Sequence, residues 1–220
     1  MDAIIKIGGS LEKYPQHLKR LLKSLSYLAQ FHNIIIVPGG GSFADCVRSA
    51  GKTFHLSSQT SHVLAILAMD QYGLVLQELG SNIKSSSNWT KVRNWSLAGT
   101  LSIYLPSKNI LEKKTLPASW AITSDSISAY IAGENNISNL IFAKDVDGIF
   151  TEPPKTNTSA KLLSRVMVKE LKSFRDVVDR GLHTYLRRYG LKCWIVNGLK
   201  TNRTAKLLQE NKTVGTEIIQ

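Results

Sequence analysis

The sequence predicts an α/β fold built on a mostly parallel sheet, and three observations support this prediction. Short apolar segments alternate with longer helical segments along the chain. The apolar segments are nearly continuous, as expected of strands that helices cover on both faces. The chain has 220 residues, 43% of them hydrophobic and 20% charged, which suffices for one sheet domain and excludes a disordered chain. We therefore expect a single domain over residues 1–220.

The order of the elements follows from the positions of these segments. Strands are predicted where β-branched or large apolar residues lie between Gly, Pro, Asn or Ser, at residues 3–7, 34–37, 101–105, 120–123, 139–143 and 192–196. Helices are predicted where apolar residues recur at helical spacing, at residues 16–31, 42–50, 58–79, 124–134, 168–189 and 201–210. The polar stretches 84–94 and 151–160 interrupt the alternation, and we expect the second to be a mobile surface loop near a ligand site.

The composition narrows the class of protein. A net charge of +12 attracts phosphate-bearing partners, but the basic residues are spread along the chain, which disfavours a nucleic-acid groove. Cys46 and Cys193 are isolated and lack metal-ligand spacing, so a disulfide scaffold is excluded and a cytoplasmic location is favoured. No apolar run is long enough for a membrane span, and the first ten residues do not resemble a secretory signal.

The first segment that indicates chemistry ends the predicted strand 3–7. Lys6 interrupts this apolar strand one residue before its end, Gly8 and Gly9 follow the strand, and Ser10 opens the next element. A buried ammonium group must find an anion, and glycines allow backbone N–H groups to approach a phosphate closely. The alternative is a tight turn after an edge strand, with Lys6 extended to solvent.

A second glycine loop, Gly39, Gly40 and Gly41, follows the strand at 34–37 and opens a helix whose N-terminus favours an anion. Residues 39–44 formally match the dinucleotide pattern G-x-G-x-x-A, but no acidic residue follows within 54–63. The phosphate loop G-x-x-x-x-G-K-[ST] is also missing from the sequence. We therefore expect the two glycine loops to hold two phosphate groups in one site.

Three carboxylates lie at predicted strand ends. Asp125 is in the first turn of a predicted helix, where it would either cap the helix or orient lysines and Mg²⁺-bound waters. Asp145 and Asp147 flank Val146 and precede Gly148. An Asp-Gly turn is the favoured interpretation, because Asp and Gly are typical turn residues, and a catalytic carboxyl pair is the less favoured alternative.

Taken in their order and spacing, these segments resemble the amino acid kinase family. The matching segments are Lys6 with Gly8-Gly9, Pro38-Gly39-Gly40-Gly41, Thr123-Ser124-Asp125, Asp145-Val146-Asp147-Gly148-Ile149-Phe150, Val196-Asn197-Gly198 and Gly215-Thr216-Glu217-Ile218. The resemblance covers essentially the whole chain. It implies a three-layer αβα sandwich that transfers the γ-phosphoryl group of ATP with Mg²⁺, and it allows a homodimer.

The resemblance also implies roles for individual residues. Lys6 would stabilise charge on the transferring phosphoryl group, and Asp125 would orient lysine side chains. Gly8, Gly9 and Ser10 would hold the β- and γ-phosphates of ATP. Further nucleotide contacts are implied for Lys144, Asp145, Asp147, Gly148 and Phe150. The acceptor would face Gly39, Gly40 and Gly41.

The sequence departs from the family pattern in two places. A second catalytic lysine that many members carry is missing from residues 179–183, so Lys144, Lys161 or Arg180 would replace it. Lys161 is the preferred catalytic candidate because it follows the 151–160 loop and would close over phosphate. The histidine that isopentenyl phosphate kinases carry after the glycine-rich loop is also missing, which disfavours a lipid phosphate acceptor.

The acceptor is predicted from residues 39–48 and 61–73, which resemble a small archaeal and methylotroph branch of the family. This resemblance implies conversion of an aminomethylfuran phosphate to its diphosphate in methanofuran-type cofactor biosynthesis. Arg48 would bind the substrate phosphate, and Asp45 or Asp70 would pair with the substrate ammonium. His62 is a substrate-binding candidate, although a helical His among apolar neighbours is commonly a packed residue. The alternatives are another small-molecule kinase (uridylate, isopentenyl phosphate or acylamino acid) or a non-catalytic nucleotide or oxyanion binder.

Overall fold

The computed structural model describes residues 2–154, 156–174 and 176–220, and its centre is an eight-stranded sheet. The strands are β1 (Asp2–Ile7), β2 (Asn33–Pro38), β3 (Ile83–Ser86), β4 (Leu101–Tyr104), β5 (Asn139–Lys144), β6 (Arg165–Met167), β7 (Lys192–Asn197) and β8 (Thr216–Ile219). Their order across the sheet is β3-β4-β2-β1-β5-β7-β8-β6. Neighbouring strands are parallel except for the antiparallel pair β7–β8.

Helices cover both faces of this sheet. They are α1 (Pro15–Leu28), α2 (Gly41–Thr53), α3 (Ser58–Leu79), α4 (Trp89–Leu97), α5 (Ser107–Lys113), α6 (Ser124–Glu134), α7 (Leu182–Tyr189) and α8 (Thr201–Glu210). Short 3₁₀ helices span Gly9–Lys13 and Val168–Ser173. In the described part of the chain, no helix combines the length and apolar character needed to cross a membrane.

The core is divided by the sheet into two apolar clusters, which gives the three-layer sandwich that was predicted. In β1, Ile4 packs in the cluster that contains α6 and α7, whereas Ile5 packs in the cluster that contains α1 and α8. Successive side chains of a strand point to opposite faces, so a strand covered on both sides must be apolar throughout. The same alternation places Lys6 on the face of Ile4, towards α6.

Most of the predicted elements are confirmed. The helices predicted at 58–79, 124–134 and 201–210 have the predicted bounds. Five predicted strands correspond to β1, β2, β4, β5 and β7, and two predicted helices correspond to α1 and α2 with shifted ends. The strands β3, β6 and β8, which have only three or four residues each, and the short helices α4 and α5 were not predicted.

The strand predicted at 120–123 is wrong, because these residues form a turn. Ile122 N donates to Ser119 O at 3.0 Å, and Gly181 N donates to Ala121 O at 2.9 Å. A Cβ on Gly181 would lie 2.2 Å from Ile122 Cδ1, which shows how closely the segment before α7 packs on this turn. Residues 121–122 are therefore apolar because another loop covers them, rather than because they pair within the sheet.

The helix predicted at 168–189 is also wrong as a single element. A 3₁₀ helix at Val168–Ser173 is separated from α7 by a turn, and the backbone N–H groups of Gly181 and Leu182 bond to the Asp179 carboxylate. This carboxylate starts a new helix instead of continuing the first. The described residues of the predicted 151–160 loop form turns and bends. Arg175 and Lys155, which these two predictions include, lie outside the described residues.

Four parallel strands, β2, β1, β5 and β7, end side by side and so bring the loops that follow them to one edge of the sheet. Gly39 N donates to Ile7 O at 2.9 Å, Gly8 N to Ala143 O at 2.8 Å, and Gly198 N to Lys144 O at 2.7 Å. Ligands of open α/β sheets bind outside the carboxyl ends of the strands. This edge is therefore the candidate site.

Candidate active site

The two predicted glycine loops are in direct contact at this edge. A Cβ on Gly9 would lie 2.5 Å from Gly41 N, and a Cβ on Gly39 would lie 2.8 Å from Gly9 N. Only residues without a side chain allow two backbones to approach so closely. The loops after β1 and β2 thus form one continuous backbone wall, as expected for a shared phosphate site.

Glu12, which the sequence analysis missed, occupies the N-terminal end of α2. Its Oε2 accepts a hydrogen bond from Ser42 N at 3.0 Å and another from Ser42 Oγ at 3.2 Å. A helix N-terminus offers unpaired N–H groups and a partial positive charge, which a carboxylate satisfies as well as a phosphate does. An anion bound at this end of α2 would therefore compete with Glu12.

A carboxylate between two lysines lies beside the glycine loops. Asp125 Oδ1 is 2.9 Å from Lys6 Nζ, and Asp125 Oδ2 is 2.7 Å from Lys144 Nζ. Lys6 is 5% exposed and Asp125 is 3% exposed, so this is a buried cluster. Lys144 Nζ also donates to Val177 O at 2.5 Å. We call Lys6, Asp125 and Lys144 the lysine–aspartate triad.

The alternation of the strands explains why these three side chains meet. Leu140 and Phe142 of β5 pack in the cluster that contains α6, so Lys144, two residues further on, points to the same face as Lys6 of β1. The first turn of α6 lies over this face and supplies Asp125. The triad is thus fixed by two neighbouring strands and one helix.

Charges in the triad depend on one another. Burial alone would raise the pKa of Asp125, but the ammonium groups of Lys144 and Lys6 outweigh it and hold this pKa well below its usual range. Burial lowers the pKa of Lys6, and the attraction of Asp125 offsets only part of that effect. With both lysines protonated, the triad has one net positive charge, which favours an anion at its open side.

Asp179 holds the start of α6 and α7 together. Its carboxylate accepts six hydrogen bonds, from the backbone N–H and hydroxyl groups of Thr123 and Ser126 and from the backbone N–H groups of Gly181 and Leu182. Burial, and next the negative charge of Asp125, raise the pKa of Asp179. Asp179 thereby positions the helix turn that presents Asp125. The sequence showed only that a family lysine is missing near this residue.

The predicted nucleotide-side carboxylates lie at the same sheet edge. Asp145 Oδ1 accepts from Ser10 Oγ at 2.6 Å, which ties the first glycine loop to the end of β5. Asp147 Oδ1 accepts from Asn197 Nδ2 at 2.6 Å and from Arg203 Nη1 at 2.7 Å. Burial would raise the pKa of Asp147, but the Asn197 hydrogen bond and the Arg203 contact lower it overall. Arg203 was missed because one arginine in an amphipathic helix carries no signal.

The segment after Asp147 turns back on itself. Gly148 has a φ of 146°, and a Cβ there would lie 2.5 Å from Thr216 Oγ1. Phe150 pairs with Leu162 in an isolated antiparallel bridge.

Lys161, next to Leu162, bonds to Thr151 through its backbone, and its side chain is exposed. The geometry therefore favours Lys144 over Lys161 as the second cation beside Asp125.

A cleft that is partly open to solvent begins next to the second glycine loop. It lies between α2, α3 and the turn before α6. Its lining residues are Gly40, Ala44, Arg48, Ser58, His62, Ala65, Ile66, Met69, Ser119, Trp120, Ile122, Thr123, Ser124 and Ile127. Among the described lining residues, Arg48 is the one with a permanent charge. The cleft is therefore largely apolar and is suited to a small organic molecule.

The far end of this cleft is closed by Arg48 and Trp120. The Arg48 guanidinium carbon is 4.8 Å from the centre of the Trp120 ring, and Arg48 Nη1 is 2.5 Å from Asp45 Oδ1. Trp120 was missed as a site residue because its neighbours suggested a strand.

The predicted substrate residue Asp70 does not line the cleft. Its carboxylate accepts hydrogen bonds from Ser107 N at 3.2 Å and from Ser107 Oγ, and so caps α5.

Comparisons with known proteins agree with this geometry. The model of the amino acid kinase family matches residues 1–197. A (5-(aminomethyl)furan-3-yl)methyl phosphate kinase from Methanocaldococcus jannaschii is 36% identical over 98% of this chain and 97% of that protein. A uridylate kinase from Methanococcus vannielii is 28% identical over 90% of this chain and 91% of that protein.

Solved structures share the fold. A uridylate kinase from Archaeoglobus fulgidus superposes with a TM-score of 0.76 and 20% identity, covering 99% of this chain and 100% of its own. A UMP kinase from Ureaplasma parvum gives a TM-score of 0.77 with 18% identity, covering 100% of this chain and 99% of its own. At these identities the likeness establishes the three-layer architecture.

Acidification is expected to destabilise the protein in part through His62. Burial lowers the pKa of His62 below its usual 6.5. The unfolded chain, in which His62 keeps its usual pKa, therefore binds a proton at a higher pH than the folded chain does. The free energy of unfolding consequently falls as the pH drops through 6.5. His62→Gln should reduce the loss of Tm between about pH 7.5 and about pH 5.

The matched control is His55→Asn, at an exposed residue whose φ of 51° Asn tolerates. This control should keep the wild-type pH dependence of Tm. Burial also lowers the pKa of His32, so part of the dependence should remain in both variants. An unchanged loss of Tm in His62→Gln would contradict the assignment.

Proposed function

The chain belongs to the amino acid kinase family, and we propose that it phosphorylates an aminomethylfuran phosphate to give the corresponding diphosphate. The family consists of phosphotransferases, and a kinase of this family uses ATP. The observation that carries the proposal is the lysine–aspartate triad next to a largely apolar cleft. The 36% identity to the Methanocaldococcus jannaschii kinase supports the choice of acceptor.

In the proposed reaction, an oxygen of the acceptor phosphate attacks the γ-phosphorus of ATP. The bond from this phosphorus to the β–γ bridging oxygen breaks, and ADP leaves with that electron pair. Lys6 and Lys144 neutralise the negative charge of the transferring group, while Asp125 holds both ammonium groups in place. A strong general base is unnecessary, because the attacking phosphate oxygen is already ionised.

The positions of the donor and the acceptor follow from the two glycine loops. Gly8, Gly9 and Ser10 would bind the β- and γ-phosphates, and the segment from Asp145 to Phe150 would lie against the nucleoside. The acceptor phosphate would lie at Gly40, where it displaces Glu12 from the start of α2. Gly40 and Arg48 are about 12 Å apart along this helix, which leaves room for a phosphate and a five-membered ring.

We propose that Mg²⁺ enters with ATP rather than occupying a site of its own. Both oxygens of Asp125 already accept hydrogen bonds from ammonium groups. Across residues 2–154, 156–174 and 176–220, no three His, Cys, Asp or Glu side chains are grouped so that they would hold a metal. These residues do not fit a resident ion, whereas the phosphate oxygens of ATP supply the ligands that Mg²⁺ prefers.

The direct test of the proposed acceptor is a screen of small phosphomonoesters, with acetylglutamate as a carboxylate acceptor, in the presence of ATP and Mg²⁺, read as ADP release. We expect the highest kcat/KM with aminomethylfuran phosphate and much lower values with UMP, isopentenyl phosphate and acetylglutamate. Turnover of UMP or acetylglutamate without turnover of aminomethylfuran phosphate would overturn the acceptor and keep the kinase. No ADP release with any acceptor would favour a non-catalytic binder.

The role of the triad is tested by replacing each candidate lysine with Met. Lys6→Met should lower kcat by about a thousandfold or more, and Lys144→Met by about a hundredfold or more, because each removes a positive charge at the transferring group. Lys161→Met should change kcat less than about threefold, since its side chain is exposed. Tm measurements on all three variants separate lost catalysis from lost folding.

The opposite ranking, with Lys161→Met more damaging than Lys144→Met, would assign the second cation to Lys161. An active Lys6→Met variant would remove Lys6 from the mechanism altogether.

We further propose a homodimer that forms through the exposed face of α3. Leu67, Leu74 and Val75 lie on one side of this helix and are 40%, 54% and 39% exposed. Their i, i+7 and i+8 spacing makes an apolar stripe, and contiguous exposed apolar surface commonly marks an interface.

Leu74→Glu should convert the dimer to a monomer, because it places a charge in the apolar stripe. Light scattering after size exclusion should then give 24.4 kDa instead of twice that mass. Leu97→Glu is the control, since Leu97 is 56% exposed on α4 outside the stripe. A wild-type protein that elutes as a monomer would exclude the dimer.

A further inference from the structure

We propose that Asp45 and Trp120 form a subsite for an organic ammonium group, and that the Arg48 guanidinium fills this subsite when no acceptor is bound. This inference rests on the proposed function, because it assigns the amine of the acceptor to a defined place. Nothing in the triad or in the glycine loops would recognise that amine.

The geometry of Arg48 shows which contacts the subsite offers to a cation. Its guanidinium carbon lies 4.8 Å from the centre of the Trp120 ring, and its Nη1 lies 2.5 Å from Asp45 Oδ1. An aromatic face and a carboxylate are the two groups that commonly bind organic ammonium ions in proteins. The side chain of Arg48 therefore marks a cation site at the far end of the cleft.

The position of this subsite matches the length of the proposed acceptor. Gly40, Ala44 and Arg48 are four residues apart and line one side of the cleft, so a molecule with its phosphate at Gly40 extends towards Trp120. The described residues that line the cleft include no carboxylate. Asp45 lies just outside the cleft and accepts a hydrogen bond from Arg48, which lines the far end of the cleft.

Arg48 is held weakly enough to be displaced. The side chains of Arg48 and Asp45 are 48% and 72% exposed, and an exposed ion pair three residues apart on a helix contributes little to stability. A solvent-open groove lined by Arg48, Gly51 and Lys52 leaves room for the Arg48 side chain to move. An entering ammonium would be repelled by Arg48 in its present place and attracted by Asp45 and Trp120 once Arg48 has moved.

Removal of Arg48 should affect acceptor binding in opposite directions under this proposal and under the sequence-based expectation that Arg48 binds the acceptor phosphate. If Arg48 competes with the amine, its removal should tighten acceptor binding. If Arg48 binds the phosphate, its removal should weaken binding, and it should do so for any phosphorylated acceptor.

The experiment compares two acceptors that differ only in the amine, aminomethylfuran phosphate and its hydroxymethyl counterpart. Their KM values are measured for the wild type and for Asp45→Asn, Trp120→Leu and Arg48→Gln. Asp45→Asn and Trp120→Leu should raise the KM of the amine threefold or more relative to that of the alcohol. Arg48→Gln should lower the KM of the amine relative to that of the alcohol.

Glu217→Gln is the matched control, because it removes another exposed ion pair, between Arg165 and Glu217 at 2.9 Å on the β6–β8 edge. It should leave both KM values unchanged. Tm values for every variant confirm that the chain is folded.

Two results would overturn the proposal. One is an unchanged ratio of the two KM values in Asp45→Asn. The other is an equal rise of both KM values in Arg48→Gln, which would assign Arg48 to the phosphate. If the wild type phosphorylates neither compound, the proposed function fails, and calorimetric binding of the same pair without ATP still decides the subsite by the same comparison.

Discussion

The pairing of buried charges at Asp125 is the constraint on which the rest of the site depends. A buried ammonium group is costly unless an anion neutralises it, and here one carboxylate serves two lysines from adjacent strands. The helix that supplies Asp125 must therefore start over β1 and β5, and the Asp179 carboxylate fixes that start through its hydrogen bonds to Thr123 and Ser126. A buried anion thus positions the buried cations.

The sequence predicted the elements that depend on the spacing of apolar residues and on the Gly, Pro, Asn and Ser residues between them. It did not predict the features that depend on contacts between distant segments. Lys6 was found because a lysine inside an apolar strand is conspicuous. Lys144 was named among three candidates for the second cation, and its place on the same face of β5 as Leu140 and Phe142 could have ranked it above Lys161. Glu12 and Trp120 gave no local signal, because their roles exist only after α2 has packed against the first glycine loop and the turn before α6.

In the proposed mechanism, the second positive charge beside Asp125 comes from Lys144 at the end of β5. The family resemblance implies a lysine within residues 179–183, and in this chain that segment begins with Asp179, whose carboxylate starts α7. Lys144 also bonds to Val177 O, so the lysine that pairs with Asp125 also anchors the segment before α7. Asp125 is thereby flanked by two ammonium groups from adjacent strands.

The contact between Gly9 and Gly41 has a mechanical consequence. These two backbones are in contact with no side chains between them. Because packed protein interiors resist compression, neither loop can move towards the other. A displacement of the glycine loop after β1 is therefore passed directly to the glycine loop after β2. In the proposed reaction, the loop that binds ATP and the loop that faces the acceptor would therefore move together, and the thickness of a peptide chain would set the distance between the two bound molecules.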